Sequence, residues 1–368
     1  MTGTILLTGA DGYLGSRLAA ALLADGDDRL LLTIKGGAGT GEFTARRQRL
    51  ERVLGPGHAA RVTIVPADLR HGGVLDGVST SGVTRVVHAA AVTRFNVERA
   101  EADAANVAGT AQVTAFAARC DRLERFVFVS TLYSAGRRQG DVFEKRFDEA
   151  GFVNHYEWSK WAAEEHVLET LDGLPVSVVR LPTIIADDDS GRIVQQNAYH
   201  NTMKLYYYGL LSLVPGNRVT PINVATAEFA VRAIAQLLDP AVPEGIYHAC
   251  PGPEAVADLG TLTDTVFDLH EQDEGYRRRK LMRPIYCDEE SFYDLVEASR
   301  SMKGGPIYQA MLSVSPFARQ LYLPKIFRND ALRAQWAGYH VPDPAALIAA
   351  TTRWLVATRW GRSAQEEP

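Results

Sequence analysis

A glycine-rich stretch close to the start of the chain constrains the possible fold more than any other feature. Residues 4–26 read TILLTGADGYLGSRLAAALLADG, and the short apolar run ILL is typical of a buried parallel strand. Gly9, Gly12 and Gly15 follow at three-residue intervals, before a helical spacing of leucines. Such a strand-to-helix turn lets a pyrophosphate approach backbone N–H groups at the positive end of a helix. The stretch therefore predicts a dinucleotide-binding turn, with an ordinary tight turn as the alternative.

Strand-like and helix-like patterns alternate through the first half of the chain. Further strand-like runs lie at residues 29–35, 61–69, 84–91, 125–131 and 176–182. Helix-like stretches lie between them, notably at 97–119 and 156–171. This alternation predicts an α/β fold of the Rossmann type, a doubly wound parallel sheet with helices on both faces.

The residues after the second predicted strand bear on the choice of cofactor. An acidic residue about 20 positions beyond the glycines would accept a hydrogen bond from an adenosine ribose 2′-hydroxyl. This chain instead has Lys35, followed by Arg46 and Arg47. Cationic groups suit a 2′-phosphate, so NADP(H) is favoured over NAD. A solvated basic loop is the alternative.

Composition and charge exclude several classes of protein. The 368 residues carry a formal net charge of −5, which gives no indication of a nucleic-acid partner. No apolar run approaches the about 18 residues of a membrane span, and Met1 is followed by a strand pattern without a basic leader. The three cysteines, Cys120, Cys250 and Cys287, have no metal-binding spacing and fit a reducing compartment. We therefore expect a cytoplasmic protein without a bound metal.

A tyrosine and a lysine stand one helical turn apart in the stretch NHYEWSKWAAEEHV, residues 154–167. Tyr156 and Lys160 would share one face of a helix, because positions four apart lie above one another. A free phenol has a pKa near 10, and a neighbouring ammonium lowers it. Lys160 is therefore expected to tune Tyr156 as an acid/base, although the pair alone could arise by chance.

Six motifs in a fixed order carry a specific resemblance. They are TGADGYLG (8–15), ADL (67–69), VVHAAAVTRFN (86–96), NVAGT (106–110), VFVSTLYSAG (127–136) and YEWSK (156–160). Together they resemble the extended short-chain dehydrogenase/reductase superfamily, over about residues 3–240. HAAAVTRFN, VSTLY and YEWSKWAAE most resemble its thioester-reductase and fatty-acyl-CoA-reductase branch. That branch includes the terminal reductase domains of carboxylic acid reductases and nonribosomal peptide synthetases.

The resemblance implies roles for individual positions. Thr131, Tyr156 and Lys160 match the catalytic set, with Ser130 as the less favoured hydroxyl. Together with Arg46, chosen above for its charge, the expected cofactor-binding residues are Gly9, Asp11, Gly12, Tyr13, Leu14, Gly15, Lys35, Arg46, Asp68, Leu69, Ala89, Ala90, Ala91, Asn106, Ser130, Tyr156, Lys160, Pro182 and Thr183. Asp11, Tyr13 and Leu14 are expected to contribute backbone.

Two positions depart from the pattern of the branch. The stretch RLPTIIADD shifts the usual proline by one, which leaves open whether Leu181, Pro182 or Thr183 contacts the nicotinamide. Lys35 replaces the commoner arginine, so an ammonium group stands where a guanidinium could bind a phosphate through two parallel hydrogen bonds.

The activity implied by the resemblance is NADPH-dependent reduction of an acyl thioester, carried by coenzyme A or a carrier protein. Hydride would add to the carbonyl carbon, Thr131 and Tyr156 would hold the oxygen, and the hemithioacetal would lose its thiol to leave an aldehyde. Onward reduction to the alcohol is left open, as are the acyl chain and the oligomeric state.

The C-terminal third is expected to select the substrate. Residues 1–185 and 218–240 are assigned to the Rossmann domain, and 186–217 and 241–368 to a smaller, mainly helical lobe with an acyl pocket between them. Tyr206, Tyr207 and Tyr208 are adjacent, so at most one or two would line that pocket. The basic run YRRRK (276–280) would meet coenzyme A phosphates or an acidic carrier, although a solvated helix face is favoured. The final residues RSAQEEP are expected to form a frayed tail.

Other functions remain open at this point. The nearest is an extended reductase or dehydrogenase of a ketone or hydroxyl substrate, sterol-like or flavonoid-like, with the same three groups. A sugar-nucleotide epimerase is less favoured, because it retains NAD and would suit an acid at position 35. A non-catalytic dinucleotide sensor would have no use for Thr131, Tyr156 and Lys160 together.

Overall fold

Seven parallel strands form the central sheet of the computed structural model, which describes residues 3–361. The strands are β1 Thr4–Thr8, β2 Arg29–Ile34, β3 Val62–Pro66, β4 Val83–His88, β5 Arg125–Thr131, β6 Val176–Leu181 and β7 Gly245–His248. Their spatial order is β7-β6-β5-β4-β1-β2-β3, and every neighbouring pair is parallel. The order reverses between β1 and β4, the point at which ligands bind doubly wound sheets. The predicted fold class is confirmed.

Helices cover the sheet and build the rest of the molecule. They are α1 Tyr13–Asp25, α2 Gly41–Leu54, α3 Arg99–Ala102, α4 Gly109–Ala118, α5 His155–Thr170, α6 Ala198–Tyr207, α7 Ala227–Leu237, α8 Leu259–Gln272, α9 Glu274–Arg277, α10 Glu289–Ser299, α11 Pro306–Ala318, α12 Asp330–Gln335 and α13 Pro344–Ala357. Short 3₁₀ turns lie at His58–Ala60, Leu132–Ala135, Arg300–Met302 and Arg319–Tyr322.

Strand β1 shows how the sheet acquires two buried faces. The side chains of Ile5 and Leu7 pack into one core with residues of α1 and α7. Leu6, between them, packs into the opposite core with residues of α4 and α5. Successive strand residues point to opposite faces, so a strand buried on both sides must be apolar throughout. Helix α7 lies within residues 218–240, whose assignment to the main domain stays a prediction.

The predicted helix at 97–119 contains a widened turn. A π-helical segment, Asp103–Ala108, separates α3 from α4 without breaking the helical path. Such segments are rare and often occur at functional sites. In this chain the segment carries Asn106, which supports the loop after β4.

A second core lies outside the sheet and contains residues of α6, α8, α10, α11 and α13. Four short strand pairs connect this part to the sheet domain or brace it: Gly140–Val142 with Lys325–Phe327, Thr183–Ala186 with Val224–Thr226, Leu213–Pro215 with Ile285–Cys287, and Pro221–Ile222 with Ala257–Asp258. The structure differs from the predicted boundaries at one place, because Gly245–His248, assigned to the lobe, is the edge strand of the main sheet. That strand is too short and too close to a helix-rich region for its sequence to indicate its partner.

Among residues 3–361, no helix combines the length and the apolar character needed to cross a bilayer. The same residues contain no cluster of three His, Cys, Asp or Glu side chains suited to a metal ion. The predicted C-terminal tail, residues 362–368, lies outside the described part of the chain.

Candidate active site

The glycine turn between β1 and α1 has no room for side chains. Gly9 has a φ of +69°, and a Cβ there would lie 2.8 Å from the Cα of Ala90. A Cβ on Gly15 would lie 2.1 Å from the carbonyl oxygen of Gly9. Gly12 is the N-cap of α1, so the N–H groups of the first helical turn face the end of the sheet without a capping side chain. The cradle fits the pyrophosphate of a dinucleotide.

Two of the predicted cofactor residues beside this turn form ion pairs. The carboxylate of Asp11 accepts a hydrogen bond of 2.6 Å from Arg46, which also bonds Glu42 at 3.0 Å. The Asp11 side chain therefore has a role of its own, beyond the backbone contribution that was predicted. Because two carboxylates share Arg46, its charge is partly neutralised before any phosphate arrives.

Asp68 forms a second ion pair, with Arg70, a residue that the sequence analysis missed. The guanidinium of Arg70 bonds the carboxylate at 2.5 Å and holds the pKa of Asp68 at about 2, and Lys35 acts in the same direction. Lys35 is thus close enough to Asp68 to influence it electrostatically. Arg46 and Arg70 are thus paired with carboxylates, and among the described residues Lys35 forms no ion pair.

A chain of hydrogen bonds supports the loop Ala89–Ala91. The N–H of Ala90 donates to Thr8 Oγ1 at 3.2 Å, and Thr8 Oγ1 lies 2.7 Å from Nδ1 of His88. Nε2 of His88 lies 2.8 Å from Thr110 Oγ1, which donates to the carbonyl of Asn106 at 2.5 Å. Burial, with Lys160 nearby, lowers the pKa of His88 to about 3, so the imidazole is neutral. The hydroxyl of Thr8 then donates to Nδ1, and the proton of His88 is on Nε2.

Asn106 holds the next residue of the same loop. Its Oδ1 accepts from the N–H of Val92 at 2.8 Å, and its Nδ2 donates to the carbonyl of Val92 at 2.9 Å and to Ser159 Oγ at 2.8 Å. The side chain is buried, and these bonds occupy it. Its predicted contact with the cofactor stays a prediction, whereas the contacts seen are those of a support.

The three predicted catalytic side chains converge on one cleft. Thr131 ends β5, and its hydroxyl donates to the carbonyl of Leu181 at 3.5 Å and is near enough to the phenol of Tyr156 to affect the pKa of that phenol. Helix α5 begins after Asn154, whose side chain accepts from the N–H of Glu157 at 3.0 Å, and this start sets the face that Tyr156 presents. Lys160, one turn further on, donates to the carbonyl of Val129 at 2.8 Å. All three line the same cavity.

The pKa of the phenol is shifted in the direction opposite to the one expected. Burial raises the pKa of Tyr156 to about 12, against a smaller lowering by the neighbouring hydroxyl of Thr131. Burial also lowers the pKa of Lys160 to about 7, and Glu164 opposes that shift. The prediction that Lys160 lowers the pKa of Tyr156 is wrong for this structure. The ammonium is directed at the Val129 carbonyl and the ring of Phe128, 4.1 Å away, while desolvation of the phenol dominates.

Ser130 and Thr131 are separated by the pleat of β5. Ser130 donates to Glu164 at 2.8 Å, on the side of the strand away from Thr131. Glu164 in turn forms a fully buried ion pair with Arg180. The hydroxyl of Ser130 is therefore engaged by Glu164, and the role of Thr131 as the hydroxyl that meets a substrate stays a prediction.

Two aromatic residues of the cleft were not assigned roles from the sequence, although both lie in quoted motifs. Phe95 packs edge-on against Tyr133 and Tyr156, with ring centroids 5.1 and 5.7 Å apart. The hydroxyl of Tyr133 lies 3.2 Å from that of Thr183, beside Pro182 in the same wall. Burial raises the pKa of Tyr133, so it adds a second neutral phenol near Tyr156.

The cleft has a volume of about 680 Å³ and joins the sheet domain to the second core. At one end it is lined by Leu14, Ala89 and Ala91, beside the glycine turn, and it continues past Thr131 towards the helices of the lobe. Of the three adjacent tyrosines only Tyr206 lines it, whereas Tyr207 packs on His270 and Trp360. The expectation that at most two would line the pocket is confirmed.

Comparison with known proteins identifies the family and the fold of the chain. A family model described as Male sterility protein matches residues 7–234, more than half of the chain. The chain belongs to this family. The predicted resemblance to the thioester-reductase branch is confirmed by the match and by the relatives that follow.

Curated relatives of this member of the male sterility protein family are much longer than the chain. It is 32% identical over 205 residues to an isonitrile lipopeptide synthase from Streptomyces coeruleorubidus, covering 52% of the chain and 14% of that protein. It is 28% identical over 215 residues to a carboxylic acid reductase from Segniliparus rugosus, covering 50% of the chain and 18% of that protein. The chain thus spans less than a quarter of these relatives.

Solved structures share the fold over nearly the whole chain. The terminal R domain from the myxalamid PKS-NRPS biosynthetic pathway matches with a TM-score of 0.77 at 20% identity, covering 98% of this chain and 92% of that one. A thiolation-reductase di-domain from an archaeal non-ribosomal peptide synthetase matches with a TM-score of 0.71 at 17% identity, covering 98% and 76%. At these identities the likeness establishes the fold.

Proposed function

We propose that this chain is an NADPH-dependent reductase of acyl thioesters, with Thr131, Tyr156 and Lys160 as its catalytic set. The observation that carries the proposal is the convergence of Thr131, Tyr156 and Lys160 on the wall of one cleft. That cleft runs from the end of the glycine turn to an apolar lobe, so one ligand can reach the turn while another fills the lobe.

The cofactor would be held by the glycine turn, the loop Ala89–Ala91 and Lys160. Lys35, which forms no ion pair among the described residues, supports NADP(H) over NAD, because a 2′-phosphate adds negative charge where this side chain lies, whereas Arg46 and Arg70 are already paired with carboxylates. When bound, the reduced nicotinamide supplies a hydride to the carbonyl carbon of the substrate. Lys160 would bind the ribose hydroxyls of the cofactor.

The chain's own residues would manage the charge and the proton. As hydride arrives, negative charge develops on the carbonyl oxygen, where Thr131 and Tyr156 would each donate a hydrogen bond. A pKa of about 12 keeps Tyr156 protonated at neutral pH, so it can give its proton to that oxygen. The resulting hemithioacetal breaks its carbon–sulfur bond and leaves an aldehyde and a free thiol. Further reduction of the aldehyde would use the same groups.

The relatives support a thioester as the substrate. Two of them are named isonitrile lipopeptide synthase and carboxylic acid reductase, and one similar structure joins a thiolation domain to a reductase. A substrate presented by an acyl or peptidyl carrier protein is therefore proposed, with coenzyme A thioesters as simpler analogues.

The test is NADPH consumption against a panel of acyl thioesters, with the free thiol and the aldehyde measured in parallel. Tyr156→Phe is expected to lower kcat by about 100-fold or more and to leave NADPH affinity nearly unchanged. Tyr208→Phe is the matched control, because Tyr208 is exposed. Unchanged turnover in Tyr156→Phe would refute the mechanism. NADPH oxidation with ketones but without thiol release would refute the substrate class.

A further inference from the structure

A buried lysine lies in the wall of the cleft, outside the catalytic set. Lys325 is only 7% exposed, and it belongs to a short strand, Lys325–Phe327, that pairs with Gly140–Val142. Its Nζ donates to Oε1 of Gln320 at 2.5 Å and to the carbonyl of Leu323 at 3.4 Å. An ammonium has three donors, so these two bonds leave a third for the cleft that Lys325 lines.

Gln320 fixes the direction of this lysine. Its Nε2 donates to Oε2 of Glu157 at 2.8 Å and to the carbonyl of Gly136 at 3.3 Å, which leaves its Oε1 to accept from Lys325. Glu157 is fully buried and is itself held by the N–H of Val153 at 3.0 Å. The three side chains form one polar row from helix α5 to the cleft.

The row leaves the positive charge of Lys325 incompletely compensated. Glu157 acts on Lys325 only through the bridging Gln320, and burial raises the pKa of Glu157 to about 7, so this side chain is only partly ionised at neutral pH. Burial lowers the pKa of Lys325 to about 8, with Glu157 opposing, so the ammonium form still dominates at neutral pH. A buried cation is costly unless an anion or a strong acceptor meets it. Nothing in the transfer of hydride or proton at Tyr156 uses this charge.

We infer that Lys325 is a specificity-determining residue that binds an acceptor oxygen of the substrate, best a carboxylate, at a point away from the reacting carbonyl. Gln320 and Glu157 are positioning residues for it. The inference rests on the proposed function for the identity of the substrate as a thioester. The acceptor belongs either to the acyl chain or to the pantetheine arm that carries it, beyond the amide that N-acetylcysteamine shares.

The experiment compares Lys325→Met with the wild-type protein on matched pairs of substrates. Each pair has one acyl thioester that ends in a carboxylate and one of equal length that ends in a methyl group, offered both on coenzyme A and on N-acetylcysteamine. The wild type is expected to prefer the carboxylate, and Lys325→Met to lose about ten-fold or more of that preference through KM, with kcat for the methyl substrate retained. Lys145→Met, at an exposed lysine, is the control.

The four substrates distinguish the two sources of the acceptor. If the oxygen is on the part of the arm that N-acetylcysteamine lacks, Lys325→Met raises KM for both coenzyme A thioesters and for neither N-acetylcysteamine thioester. A change that is equal for all four substrates indicates a purely structural role and overturns the inference. Binding of non-reducible thioether analogues, measured by calorimetry, gives the same comparison without turnover. A failure of the proposed reaction is thereby separated from a failure of this inference.

Discussion

Asn106 holds both backbone groups of Val92, accepting from its N–H at 2.8 Å and donating to its carbonyl at 2.9 Å. The side chain comes from the π-helical segment Asp103–Ala108, and the loop it holds continues from Ala89–Ala91 in the cleft wall. A widened helical turn thus fixes the loop through one amide.

Replacement of that amide should therefore weaken both the fold and the cofactor site. Asn106→Ala leaves the N–H and the carbonyl of Val92 without their partner, and we expect a loss of about 2–3 kcal/mol in the free energy of unfolding. Cofactor affinity should fall as well. Urea denaturation and cofactor titration check the two effects, with Asn217→Ala, at an exposed asparagine, as the control. A loss of stability with full cofactor affinity would show that the loop is positioned without Asn106.

Local sequence patterns are sufficient for the elements that depend on near neighbours. The first six sheet strands, the glycine turn and the Tyr156–Lys160 face follow from periodicities of a few residues, and each is present in the structure. The seventh strand, Gly245–His248, is not predictable in this way, because its place is set by pairing with β6 nearly 70 positions earlier.

Properties that depend on the tertiary environment were beyond the sequence. The pKa of Tyr156 is governed by burial among Phe95, Tyr133 and other residues distant in the chain, so its direction was predicted wrongly. Gln320 and Lys325 carry no local signal, since they reach the cleft only when the second core packs on α5.

The buried ammonium of Lys160 should make stability depend on pH. The pKa is about 7 in the folded chain and near 10.4 for an unperturbed lysine. Between these values the unfolded chain binds a proton that the folded chain has lost, so stability rises with pH. Below pH 7 both states bind it and the dependence ends.

Lys160→Met removes the titrating amine, so comparison with the wild type isolates its contribution to the pH dependence of stability. The difference in unfolding free energy between wild type and Lys160→Met should move in favour of the wild type from pH 7 to pH 10, by up to about 1.4 kcal/mol per pH unit. Denaturation at a series of pH values measures it. Parallel curves for the two proteins would contradict the lowered pKa.

Lys35 should contribute more than Arg46 to the preference for NADPH over NADH. Arg46 is already bonded to Asp11 and Glu42, so its positive charge is partly neutralised by these carboxylates. We expect Lys35→Ala to raise the KM for NADPH by about ten-fold, which is the effect of losing one charged hydrogen bond, and to leave the KM for NADH unchanged. Arg46→Ala should have a smaller effect.

The KM values for NADPH and for NADH, measured for each variant, show whether Lys35 reads the 2′-phosphate. Arg47→Ala is the matched control, because Arg47 is exposed and pairs with Glu51 one turn away. Equal losses for NADPH and NADH in Lys35→Ala would mean that Lys35 does not read the 2′-phosphate.

The buried pair Glu164–Arg180 offers a test of what anchors the catalytic helix to the sheet. Both side chains are fully buried, and Nε of Arg180 lies 3.1 Å from Oε1 of Glu164, while Ser130 donates to the same carboxylate. Arg180→Leu leaves the carboxylate without its cation in the core, which should cost about 3–5 kcal/mol of unfolding free energy. Glu164→Leu should cost a similar amount, because it leaves the buried guanidinium of Arg180 without a carboxylate partner.

The double variant tests whether the two charges are energetically coupled, that is, whether each is costly only when the other is absent. Removing both charges eliminates the uncompensated ion, so Glu164→Leu/Arg180→Leu should be more stable than either single variant, although Ser130 loses its acceptor. Urea denaturation of the four proteins completes the cycle. If the losses were simply additive, the two side chains would act independently, and the anchoring of α5 to β6 would have to come from apolar packing alone.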